Sequence, residues 1–265
     1  MRKYALAATL FTAASGLIGF VLRRSQLARA FEPDTGLPVA GAASTVMLLF
    51  YTVVMLAAAL AFAVFISKRY AAKSTYTEAF APASGAYLTF AGIIATLFVL
   101  AGFVLMLRVK STSKSELTVA ILTMISGLAI FGLAYEQFRG RNFKFALVYT
   151  VIPELFFTFW LLLIYRANQT NPVRYNYVFQ CLAVAAAAIG FYVTTGFVYG
   201  RSAPGKFIFS HVAAVFFLAV GTADPISIER RLVFLALILF FLVNLARLTN
   251  NLGKKPPKPD PAETE

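Results

Sequence analysis

Residues 147–160 read LVYTVIPELFFTFW, a run apolar enough for a membrane interior except at Pro153 and Glu154. The pair admits two readings, and they lead to different folds. In one, a helix over about 145–165 crosses the bilayer, kinks at Pro153 and holds Glu154 inside the membrane. In the other, Pro153 opens a helix, where its missing N–H costs nothing, and Glu154 lies at the surface beside the positive end of the helix dipole. A helix starting at Pro153 and ending near 165 is too short to cross about 30 Å of hydrocarbon, unless it runs on through RANQTN. The continuous, kinked span is the reading carried forward.

The rest of the chain sets the context for that choice. Hydrophobic residues make up 60% of the 265 and charged residues only 13%, with a mean hydropathy of +0.76. Soluble domains carry roughly 25% charged residues. Apolar stretches long enough to span recur throughout, so the solvent is lipid and the backbone must satisfy its own hydrogen bonds. Long runs without strict alternation indicate helices rather than a β-barrel. The expected fold is all-α, a polytopic transmembrane bundle over about 1–250. Its spans fall at about 4–22, 44–66, 86–107, 117–135, 145–165, 177–199, 207–223 and 227–248. If the seventh run fails to cross, seven remain. The first run resembles a signal peptide, but its apolar stretch continues to Leu22 and stops at Arg23-Arg24, which suits a retained anchor. The tail GKKPPKPDPAETE is Pro-rich and charged, so 251–265 is expected to be disordered.

The net charge of +13 does not indicate nucleic acid. The basic residues stand in small groups beside apolar runs, such as Arg23-Arg24, Lys68-Arg69 and Arg230-Arg231, where they meet anionic lipid headgroups. Fourteen of the 24 fall on the side of the termini if the chain crosses eight times, a weak bias toward cytoplasmic termini. The single cysteine, Cys181, excludes an internal disulfide and reads as a small buried hydrophobe.

Few polar residues remain for chemistry inside the membrane. Glu154 is about nine residues into its span, ~14 Å along the axis at ~1.5 Å per residue, close to the midplane. An acid there costs about 2.5–3.5 kcal/mol on insertion scales and should face protein or water. Thr150 and Thr158 lie four residues to either side, on the same helical face, and Pro153 leaves the Tyr149 carbonyl without its usual donor. An acid, two hydroxyls and a free carbonyl form a candidate polar site, either a proton relay or an ion ligand, or a structural acid bonded to a neighbouring helix. His211 is a second titratable group, expected as a structural histidine or as the partner of Glu154 in a relay. Asn244 is expected to bond between helices. Asp224, in ADPIS, reads as an N-cap with Pro225 at the first helical position. The stripe Thr9, Thr12, Gly16, Gly19 and the pair Gly196/Gly200 read as close-packing faces, within a bundle or in an oligomer.

Several activities lack their residues. One histidine cannot ligate haem twice, no lysine lies within 207–223 or 227–248, and no GxSxG, HExxH or Walker loop occurs. No cofactor or metal is called for, and an enzyme is not expected. The first loop, FEPDTGLPVAG at 31–41, together with the span spacing, resembles uncharacterised multi-pass membrane proteins of clostridial bacteria. That resemblance implies a bacterial plasma-membrane location and brings no activity or site. Two functions stand open: a small-solute or ion transporter or channel-like protein using the acid, and a non-enzymatic scaffold, sensor or accessory subunit with a membrane partner or a second copy.

Overall fold

The computed structural model describes residues 2–71, 76–81, 85–108, 114–139, 145–169 and 177–254. Its helices begin with α1 (Arg2–Arg29), α2 (Ala43–Arg69), the short α3 (Tyr76–Ala79) and α4 (Ala86–Arg108). They continue with α5 (Lys114–Arg139), α6 (Ala146–Asn168), α7 (Val178–Val198), α8 (Pro204–Thr222) and α9 (Ile228–Asn251). All except α3 are long and apolar enough to cross a membrane, the seventh run included. The protein is therefore an integral membrane protein, an all-α polytopic bundle of eight spans whose outer surface contacts lipid.

Eight crossings return both termini to one face, and contacts between distant segments agree. The Tyr4 and Tyr70 rings meet at 6.2 Å. A two-residue strand β1 (Tyr70–Ala71), following α2, pairs antiparallel with β2 (Gly253–Lys254), following α9. This is the terminal face, and the other is the distal face. Within the segment expected to be disordered, Asn251 ends α9 and Gly253–Lys254 form β2, paired with β1; residues 255–265 lie outside those described.

Helix α8 is the most enclosed, with 72% of its most apolar window buried against 22% for α2, so α8 is central and α2 peripheral. Helices α1 and α2 pack on α8, while α4 to α7 run in sequence from α9 back to α8. Glycine sets the closest approaches. A Cβ on Gly102 would lie 2.7 Å from the Ala120 carbonyl, and one on Gly127 would lie 3.0 Å from the Ala95 carbonyl, so α4 and α5 touch backbone to backbone. Gly127→Val is expected to destabilise the bundle by about 1–3 kcal/mol through overpacking, measurable as unfolding in mixed detergent. An unchanged midpoint would show that α4 and α5 can part without cost.

The small-residue faces divide. Gly16 and Gly19 press on Ala219, Phe216 and Val220 of α8 in the same chain. Gly196 and Gly200, expected as a packing pair, instead end α7. Gly200 takes φ 71, its N–H reaches the Phe197 carbonyl at 3.1 Å, and Arg201 N–H reaches the Gly196 carbonyl at 2.9 Å. This is a Schellman C-cap, which requires the left-handed backbone that glycine adopts without strain.

The distal corners depart most from expectation. Helix α1 runs past Leu22 to Arg29. Helix α9 starts at Ile228 with Ser227 before it, so Asp224 and Pro225 lie in the corner and do not begin the helix. Asp224 has a more distant partner, described below.

Candidate functional site

Helix α6 is continuous through Pro153, and Glu154 is eight residues from its start at Ala146, ~12 Å along the axis. The polar face expected around it does not converge. Thr150 is buried and donates to the Leu147 carbonyl at 3.0 Å, while Thr158 is exposed and donates to the Glu154 carbonyl at 2.9 Å. Both hydroxyls are spent on their own helix, the usual alternative for threonine in a span. Pro153 is buried, and the Glu154 side chain is half-buried between the exposed Leu155 and Thr158.

His211 lies seven residues into α8 and is completely buried. Its ring stacks on Phe207 at 3.5 Å and meets the edge of Phe241 at 4.9 Å. Ser210 Oγ lies 3.3 Å from Nδ1, and Nε2 has no hydrogen-bond partner among the described residues. Its neighbours belong to α8 and α9 and not to Glu154, so the two groups form no relay.

Asn244 does not bridge helices directly. Its Nδ2 donates to the Phe240 carbonyl at 3.0 Å, and its Oδ1 accepts from Arg247 Nη1 at 3.2 Å. Arg247 completes the link: Nη2 donates to the Phe80 carbonyl, and the guanidinium lies 3.5 Å from the Tyr87 ring centroid. Gln137 of α5 donates to the same Phe80 carbonyl at 2.8 Å. Asn251 donates to the carbonyls of Ala79 and Ala81 at 3.1 and 3.0 Å. The described backbone acceptors of a turn at the terminal face, the buried Phe80 carbonyl among them, thus take hydrogen bonds from side chains of α5 and α9. Phe80 is fully buried, 5.3 Å from Phe197 and 5.1 Å from Phe207. Burial also pushes the Tyr76 phenol above its ordinary range.

From this plug an aromatic seam runs toward the distal face. Phe80 meets Phe207, then His211, Phe241, Phe191 and Phe157, and the last adjoins Phe156 and Trp160. Offset and edge arrangements of this kind are the favoured contacts between aromatic rings. Beyond it, toward the distal face, lies a cavity of ≈ 440 Å³ among α4, α5, α6, α7 and α9. Its depth is apolar (Ala101, Val119, Phe156, Trp160 and Val233), and its mouth is polar, with Glu116, Arg166, Asn168, Gln180 and Arg230. Glu229, nearly buried at the rim, is held by Arg108 at 3.1 Å. A second hollow of ≈ 510 Å³ shares Leu105, Glu116, Gln180 and Glu229 and widens the approach. Such size and lining suit a small molecule with an apolar body and a polar end. Glu154 is not among the lining residues.

The distal face also carries a buried ion pair. Arg23, 1% exposed, places Nε 2.7 Å from Oδ1 of the fully buried Asp224. Arg23 Nη1 donates to Gln26 at 2.6 Å, Gln26 donates to Thr45 at 3.0 Å, and the guanidinium lies 4.7 Å from the Phe179 centroid. One side chain thereby joins α1 to α2, α7 and the α8–α9 corner. Burial raises the Asp224 carboxyl from an ordinary 3.8 to about 6, against the opposing pull of Arg23 and a hydrogen bond from Gln180. The pair explains why Arg23 does not face headgroups and why Asp224 caps no helix: a buried charge needs its counter-charge more than a solvated helix end needs a cap.

Among the described residues no three His, Cys, Asp or Glu side chains gather to hold a metal ion. No family model, curated protein or solved structure matches this chain.

Proposed function

We propose that this membrane protein transports a small amphipathic solute, non-enzymatically, and that the cavity among α4, α5, α6, α7 and α9 is its binding site. The observation that carries the reading is one-sidedness. The cavity's polar lining residues stand at the distal ends of their helices, while among the described residues the aromatic seam and the Phe80 turn lie on the side of the terminal face. A site accessible from one face and barred from the other is one of the two states that alternating access requires. We place it in a bacterial plasma membrane with the termini cytoplasmic, so that the cavity faces outward. The basic-residue bias supports that orientation, the more so because Arg23 and Arg108 on the distal face are each paired with an acid.

The test is labelling in sealed vesicles of known orientation. Thr123 lines the cavity and is 2% exposed. With Cys181→Ser as background, Thr123→Cys should react with a membrane-impermeant maleimide rapidly from the distal face. It should react more slowly from the terminal face, as the barrier opens. Glu154→Gln should leave both rates unchanged, because Glu154 does not line the cavity. Reaction from the distal face alone, however long the exposure, would exclude transport and favour a sensor or accessory subunit. No reaction from either face would remove the cavity as a site.

A further inference from the structure

A separate groove of ≈ 660 Å³ lies at the distal face between the last turns of α1 and the α8–α9 corner, carrying Arg24 and Arg231. Among the described residues neither guanidinium is in an ion pair, and Arg231 Nε is buried with no hydrogen-bond partner. Asp224 also lines the groove, but Arg23 faces its carboxylate at 2.7 Å. Counting all four charges, the net is positive. Phe20 and Leu27 form an apolar wall, continuous along α1 with the lipid-exposed Leu17 and Val21. Arg24 stands twenty residues after Tyr4 in α1, ~30 Å along the axis, about the thickness of the hydrocarbon core. That depth places the two cations at headgroup level.

We infer that this groove binds the phosphate of an anionic phospholipid, with Arg24 and Arg231 on the phosphate and an acyl chain against Phe20 and Leu27. Guanidinium forks match phosphate oxygens in pairs, and a buried Nε donor without an acceptor is the group such a ligand would satisfy. A lipid fits better than a free anion because the apolar wall leads from the cations directly to the lipid-facing side of α1. Lipid here would fasten the end of α1 to the corner that holds Asp224.

The test is native mass spectrometry of the full chain in detergent, titrated with dioleoylphosphatidylglycerol, with dioleoylphosphatidylcholine, or with inorganic phosphate. Wild type should retain the anionic lipid roughly tenfold or more tightly than the zwitterionic one. R24Q/R231Q should lose that preference, and Arg29→Gln, on the same helix but outside the groove, should keep it. The single variants Arg24→Lys and Arg231→Lys retain the charge but not the fork and should fall between; they decide the matter if the double variant does not fold. An unchanged preference in the double variant, or in both lysine variants, would overturn the assignment. Displacement of the lipid by millimolar inorganic phosphate would identify a free-anion site and overturn the lipid.

Discussion

Asp224→Ala is expected to destabilise the protein by about 3–5 kcal/mol, because it strands the Arg23 guanidinium in a site where only 1% of that side chain is exposed. The loss is mainly the cost of a buried charge deprived of its carboxylate. Removing both partners, as in Arg23→Met with Asp224→Leu, should therefore recover most of it. Unfolding by steric trapping in bicelles would measure all three proteins, and an Asp224→Ala variant within 0.5 kcal/mol of wild type, roughly the scatter of surface substitutions, would contradict the pair.

The second large effect is expected at the opposite face. Phe80→Ala removes a fully buried ring packed against Tyr76, Phe197 and Phe207, a change that costs about 3–5 kcal/mol in cores. It should also open the seam. A cysteine at position 211, one contact beyond Phe207, should become reactive to an impermeant maleimide from the terminal face. With Phe80 in place that cysteine should react far more slowly, only as the barrier opens. Protection in the Phe80→Ala background would mean that the seam is closed by the deeper rings alone.

The eight spans were legible because lipid forces each crossing to be one long apolar helix, and the Pro153 helix reads as continuous for the same reason. Polar residues at helix ends were harder to assign. The α1 stripe through Thr12, Gly16 and Gly19 extends, at steps of four and three, to Arg23 and Gln26, and both are buried. Periodicity therefore contained the buried arginine, although Arg23-Arg24 has the composition of a surface flank. Asp224-Pro225 was misread because a cap is a local signal, whereas its real partner is 201 residues away in sequence. Gly196 and Gly200 have packing-motif spacing and also C-cap spacing, and only φ separates them. The cavity left no mark on any single segment. Five helices line it, each contributing ordinary residues such as Ala101 and Val233, and no one-dimensional pattern records their meeting. Glu154, the most conspicuous residue in the sequence, lies outside it.

The carbonyl of Phe80 is held twice, by Gln137 from α5 and by Arg247 from α9. A displacement that separates these two helices at the terminal face must give up one of the bonds. The bond from arginine is charge-assisted, with a net value of about 1.5–3 kcal/mol, equivalent to a bias of roughly 10- to 150-fold between two conformational populations. In the proposed transport cycle, one backbone oxygen would therefore set how rarely a conformer open to the terminal face is visited. Substitutions at position 247 would shift that ratio without touching the cavity.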